Sequence, residues 1–132
     1  MSAENTKRVL RRWYDEMWSK KNSDLILELV GPVYTRHEMG GTRTVTPEEY
    51  RAQTSGFMAQ IEITDMRYSL VAEGDKVCAI GSWKVSGKQW DWVQVFRVED
   101  DRLVETWLSG IGMESGWDLA VYANTGEVVT PD

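Results

Sequence analysis

From residue 61 to residue 109 the sequence alternates apolar and polar side chains in four runs, broken only by turns of two to four residues. Ile61, Ile63, Met66, Tyr68, Leu70 and Ala72 mark the first run, over 61–72. Gly74-Asp75 turns the chain into a run over 76–86, Gly87-Lys88 into one over 89–99, and Asp100-Asp101 into one over 102–109. A period of two is that of a strand, and turns this short join antiparallel neighbours. The pattern therefore predicts a four-stranded meander. The first half has another period. Val9, Leu10, Trp13, Tyr14, Met17 and Trp18 fall three or four residues apart, which predicts one broad apolar face on a helix over 5–20. Asn22-Ser23 is expected to cap a short second helix carrying Leu25, Ile26, Leu29 and Val30, and Gly31-Pro32 to end it. A loop or short strand over 33–39 follows, broken by Gly40-Gly41. Thr46-Pro47-Glu48-Glu49 is a capping box with proline at the first helical position, opening a third helix to about residue 60 with Tyr50, Phe57 and Met58 on or near one face. Helices first and strands after give an α+β class, with N-terminal helices packed on one face of a curved antiparallel sheet.

The third strand shows that both faces of the sheet need cover. Trp90, Trp92, Gln94 and Phe96 share one side, and Asp91, Val93, Val95 and Arg97 share the other. Both sides are partly apolar. Helices are expected over one and a second subunit over the other.

Composition narrows the function classes. The 132 residues suit a single domain over 1–132, with a flexible tail over 127–132. With 42% apolar and 27% charged residues, the chain is not a disordered one. No apolar run approaches the ~18 residues of a membrane-spanning helix, and the N-terminus lacks the apolar core of a secretory signal, so a cytoplasmic protein without a membrane partner is expected. A single cysteine, Cys78, excludes an internal disulfide and a cysteine-based zinc site. With His37 the only histidine, neither a metal nor another cofactor is expected. The net charge is −6, and the one basic cluster, Lys7-Arg8 with Arg11-Arg12, is interrupted by acidic neighbours, so no nucleic-acid partner is expected. Seven tryptophans exceed what a core of this size needs, which points to an aromatic cavity.

Two segments carry a family resemblance. Tyr34-Thr35-Arg36-His37-Glu38 resembles the tyrosine-x-x-histidine-acid segment of SnoaL-like polyketide cyclases. The stretch 95–107, in which an apolar-arginine strand turns at Asp100-Asp101 and returns to Glu105-Thr106-Trp107, resembles the late hairpin of the same family. Together they place about residues 8–117 in that branch of the nuclear transport factor 2-like superfamily. The resemblance implies a cone-shaped fold, a pocket with its mouth near the first segment, and homodimerisation through the convex sheet face. The superfamily holds aldol cyclases, epoxide hydrolases, ketosteroid isomerases, dehydratases and non-catalytic binding domains, so it does not fix the reaction. Two departures narrow it. The cyclases carry an aspartate just after the last-strand tryptophan, where this chain reads Trp107-Leu108-Ser109-Gly110. The arginine-x-aspartate pair of the epoxide hydrolases is absent from Gly81-Ser82-Trp83-Lys84-Val85. Limonene-type epoxide hydrolysis is therefore not expected.

Candidate chemistry follows from residue type. Histidine is the side chain whose unperturbed pKa lies near neutral pH, so His37 is either the general acid–base group at the pocket or a surface histidine between Arg36 and Glu38. Asp91, between Trp90 and Trp92, is a catalytic base if it faces the cavity, because apolar walls would raise its pKa; otherwise it faces away or pairs with Lys84 or Lys88. Strand alternation permits only one choice: Asp91 lines the pocket, or Trp90, Trp92 and Gln94 do. Tyr14, Trp18, Tyr34, Trp83 and Trp107 are expected to line a cavity for a flat aromatic or polyene ligand. Glu38 either orients His37 or is solvated. Trp13 and Trp117 are assigned to core packing, Glu48 and Glu49 to capping, and Cys78 to a small buried apolar role. The expected function is a cofactor-free enzyme of bacterial secondary metabolism that cyclises, isomerises or dehydrates a hydrophobic polyketide- or terpenoid-like substrate, with Tyr34 or an indole N–H at an enolate oxygen. The alternative is a non-catalytic ligand-binding or assembly domain.

Overall fold

The computed structural model describes residues 2–118; the tail expected over 127–132 lies outside them. Helix α1 (Ala3–Arg12) opens on a Ser2 side chain that accepts a bond from the Asn5 amide at 3.2 Å, and Arg11 and Arg12 sit at its negative end. The next six residues, Trp13–Trp18, wind into a wider π-helical turn, with the Ser19 amide donating to the Tyr14 carbonyl at 3.0 Å. Trp13, Tyr14, Met17 and Trp18 are all buried there, so the helical face read from the sequence is the inner one. The second helix is shorter than expected: a 3-10 turn (Ser23–Leu25) and then α2 (Ile26–Leu29), with no side-chain cap from Asn22. Helix α3 (Pro47–Gln60) has the full capping box between Thr46 and Glu49.

Six strands form one sheet in the order β2-β1-β6-β5-β4-β3. They are β1 (Val30–Glu38), β2 (Gly41–Val45), β3 (Ile63–Glu73), β4 (Lys76–Val85), β5 (Lys88–Glu99) and β6 (Arg102–Met113). The meander β3–β6 is antiparallel as its turns require. The added hairpin β1–β2 makes the sheet mixed, because β1 runs parallel to β6. Gly31-Pro32 does not end a helix; it lies inside β1, where the register with β6 shifts between Val30 and Thr35. Proline has no N–H for the ladder and is tolerated at such an irregularity. Gly31 is required by close approach: a Cβ there would meet the Val104 side chain at 2.9 Å.

The helices cover the concave face. Leu10, Met17, Ile26, Tyr34, Tyr68, Leu70, Phe96 and Leu103 are almost fully buried between the two layers, each such side chain contributing on the order of 1.5–3 kcal/mol. Two polar ties fix the helix against the sheet. The Thr6 hydroxyl donates to the Gly74 carbonyl at 2.6 Å, and the Tyr68 hydroxyl donates to Asp15 at 2.6 Å. The convex face keeps exposed apolar residues, among them Val33 (59%) and Val71 (58%). Among the described residues, no helix is long and apolar enough to cross a membrane.

Candidate functional site

Between the helices and the concave sheet lies a cavity of about 310 Å³. The π-helical turn supplies Trp13, Tyr14 and Trp18 to its wall, and α3 supplies Tyr50, Gln53, Thr54 and Phe57. Arg36 comes from β1 and Arg43 from β2. Trp83, Trp90, Trp92, Gln94 and Leu108 come from β4, β5 and β6. Five of the seven tryptophans thus line one hollow.

The rings hold one another in place. Tyr14 stacks on Trp92 with centroids 5.0 Å apart and planes at 20°, and Trp83 meets Trp92 nearly edge-on at 5.9 Å. Trp18 meets Trp83 at 5.1 Å and Phe57 at 6.3 Å, both edge-to-face, and Trp13 stacks on Tyr50 at 6.1 Å. Such contacts add roughly 0.5–1.5 kcal/mol each to area burial and fix the ring orientations. Trp92 lies across its cross-strand partner Gly81, where an added Cβ would fall 2.4 Å from the indole.

The polar part of the wall is built around Arg36, only 7% exposed. Its Nη2 and Nε donate to Glu38 Oε2 at 2.9 and 3.2 Å, and its guanidinium lies over the rings of Tyr50 (4.6 Å) and Tyr34 (5.3 Å). Burial works against its charge, but Tyr50, Tyr34 and Glu38 outweigh it and hold the guanidinium cationic, above its ordinary value. Arg43 Nε donates to the other oxygen of Glu38, and its Nη1 donates to Gln53 on α3 at 3.1 Å. Burial alone would raise Glu38; its bonds from Arg43 and Arg36 hold it below the usual carboxylate range instead. Burial pushes the Tyr14 and Tyr34 hydroxyls up, so both stay neutral donors. Four wall residues carry a buried polar atom with no hydrogen-bond partner among the described residues: Tyr14 Oη, Arg36 Nη1, Trp83 Nε1 and Trp92 Nε1. Buried donors are normally satisfied, so these four are polar groups of the wall that the described residues leave without a partner.

Of the residues singled out in the sequence, Tyr14, Trp18, Trp83, Trp92 and Gln94 meet at this cavity. Tyr34 is buried beside it against Tyr50, and Glu38 stands next to it, holding the two arginines rather than His37. His37 is on the opposite face of β1 from Arg36. Its Nε2 is 2.7 Å from Glu105 Oε2, its Nδ1 is 2.8 Å from Thr42 Oγ1, and its ring stacks on Trp107 at 5.4 Å. Glu105 is held below the usual carboxylate range by the bond to His37 and then by Arg97. His37 and Trp107 are therefore outside the aromatic cavity; His37 borders a second hollow that shares only Leu108 with the first. Asp91 is also outside it. Trp90, Trp92 and Gln94 take the inner side of β5, and the fully buried Asp91 accepts bonds from Gln89 Nε2 (2.8 Å) and the Trp117 amide (3.3 Å). Trp117 is 41% exposed rather than a core residue, Trp13 lines the cavity as well as packing, and Cys78 is half-buried.

Arg36, Arg43 and the α3 wall were not among the pocket residues expected from the sequence. The signal for Arg36 was present, since it shares the face of β1 with Tyr34 and Glu38 by alternation. Nothing in the sequence brought α3 against β1 or Gln53 within reach of Arg43. Among the described residues, no group of three or more His, Cys, Asp or Glu side chains is placed to hold a metal.

A model of the SnoaL-like domain matches residues 10–106. IdmH from Streptomyces antibioticus, described as a candidate polyketide cyclase, is 18% identical with a TM-score of 0.64, covering 79% of this chain and 90% of its own. A candidate polyketide cyclase from Acidithiobacillus ferrooxidans is 23% identical with a TM-score of 0.64, covering 83% and 90%. A LEH-like epoxide hydrolase from M. tuberculosis is 10% identical with a TM-score of 0.63, covering 81% and 84%. No curated protein matches in sequence. At these identities the likeness carries the fold, which here hosts more than one chemistry.

Proposed function

Because this chain belongs to the SnoaL-like domain family, we propose that its cavity takes a flexible, hydrophobic, oxygen-bearing molecule of the polyketide or terpenoid kind and promotes its ring closure. The observation that carries this is the trio Tyr14 Oη, Trp83 Nε1 and Trp92 Nε1: three unpartnered donors on rings joined through Trp92, in the aromatic part of the wall. Among the described residues, the wall contains no carboxylate and no imidazole. It acts on oxygen rather than on a C–H bond. As the α-carbon loses its proton to water at the mouth, the electron pair moves onto the carbonyl oxygen, and these donors stabilise the enolate. The α-carbon then attacks a second carbonyl, whose alkoxide takes a proton from water. Donors aimed at developing charge contribute about 3–4 kcal/mol each, and holding the chain folded contributes up to about 7–11 kcal/mol. Isomerisation or dehydration through the same enolate uses the same groups.

The test is tryptophan fluorescence titration with polyketide-like and terpenoid ligands, followed by turnover assays. Tyr14→Phe is expected to lower kcat by about 10²- to 10³-fold with KM little changed, the pattern of a bond made only in the transition state. An unchanged kcat removes Tyr14 from the role. The second reading is a non-catalytic binding domain, favoured by the missing carboxylate and imidazole; saturable binding with no turnover of any candidate would establish it. We further propose homodimerisation through the convex face, supported by exposed Val33, Val71 and Val93.

A further inference from the structure

The ring-closure reading leaves the charge of the wall unused. The chain has 21 acidic and 15 basic residues, yet among the described residues the cavity wall carries two guanidiniums, Arg36 and Arg43, and no acidic side chain. Their shared counter-ion is Glu38, bonded to both. Two positive charges against one negative leave an excess of one positive charge beside an aromatic hollow. Arg36 is not a surface arginine that happens to lean inward. It is almost fully buried, packed on Tyr34 and Tyr50, and tied by two bonds to Glu38. A guanidinium does not shed its proton, so the charge stays. Its Nη1 is buried without a hydrogen-bond partner among the described residues. A desolvated, charged donor left unmade is costly, and the group that matches a guanidinium in charge and shape is a carboxylate.

We propose that the ligand of this cavity is an acid: a flat hydrophobic molecule carrying one carboxylate, paired with Arg36 while its rings lie among the indoles. The inference rests on the cavity being the ligand site proposed above. It also orients the ligand. The carboxylate is fixed where Arg36 meets Tyr50, and carbonyl oxygens fall to the separate donor cluster around Trp92. The free acid, not its ester or amide, is the form bound.

The experiment compares 2-naphthoate with 2-acetylnaphthalene, which has the same rings and nearly the same shape but no charge, by calorimetric titration at pH 7. Naphthoate is expected to bind roughly ten- to a hundredfold more tightly, the worth of a charge-assisted pair in a desolvated site. In Arg36→Met the naphthoate affinity is expected to fall to that of the ketone, and retained ketone binding shows that the variant's cavity is intact. Equal affinity of the two probes for the wild-type protein overturns this inference and leaves the cavity reading standing. Failure of both to bind overturns the two together. A naphthoate preference that survives in both Arg36→Met and Arg43→Met removes these guanidiniums as its source.

Discussion

Gly81→Ala tests the architecture of the pocket with a single methyl group. Gly81 and Trp92 are cross-strand partners, and the indole lies over the glycine. A Cβ at Gly81 would sit 2.4 Å from both Cη2 and Cζ2 of Trp92 and 2.9 Å from Cε2. Comfortable carbon–carbon contact begins near ~3.5 Å, so the ring must retreat by about an ångström. Its retreat is blocked by Tyr14 stacked at 5.0 Å and by Trp83 at 5.9 Å. Overpacking of this kind costs about 1–3 kcal/mol. For a domain of this size that lowers Tm by roughly 4–12 °C. The displaced indole also intrudes on the cavity, so ligand affinity falls with stability. The assay is thermal unfolding followed by circular dichroism, with near-ultraviolet spectra reporting the tryptophan packing. A second substitution assigns the cause: Trp92→Phe shortens the ring, so Gly81→Ala should cost at least ~1 kcal/mol less in that background. If Gly81→Ala melts within about a degree of the wild type, or if its cost is the same in the Trp92→Phe background, the close approach does not shape this wall.

Three further outcomes follow from the geometry. His37→Ala should leave turnover within a few-fold of the wild type, because the ring faces Glu105 and Thr42 rather than the cavity; a loss near ~10²-fold in kcat would restore the imidazole to the chemistry. Glu38→Gln should destabilise the protein by about 1–2 kcal/mol at pH 7. Since the folded-state value of Glu38 is depressed, its contribution is present above the ordinary carboxylate pKa and disappears as pH falls through the depressed one. The wild-type and variant Tm values should therefore converge at acid pH, and a gap that persists to about pH 2 would contradict the assignment. Sedimentation at micromolar concentration should show a dimer; a monomer alone would refute pairing through the convex face.

The local patterns that were legible are those fixed by neighbours along the chain. The capping box at Thr46 and Glu49, the inner face bearing Trp13, Tyr14, Met17 and Trp18, and the meander over β3–β6 all follow from periods and turns that span a few residues. The excess of tryptophan pointed to an aromatic cavity, and Tyr14, Trp18, Trp83, Trp92 and Gln94 stand in the wall of one, the last two by a choice of face that the sequence left open. Alternation alone paired Trp90, Trp92 and Gln94 on one side of β5 and Asp91 on the other, but the side facing inward depended on where the helices pack. The same holds for β1. Tyr34, Arg36 and Glu38 share one face and His37 the other in any strand, and only the helical cover and the parallel pairing with β6 decide which face is dry. That pairing joins residues about seventy positions apart through a shifted register around Gly31-Pro32, which no local period encodes. Sequence thus set the elements and the chemistry available to each face. Tertiary packing chose an arginine over a histidine for the interior, because burial is decided by what lies opposite a residue and not by what lies next to it.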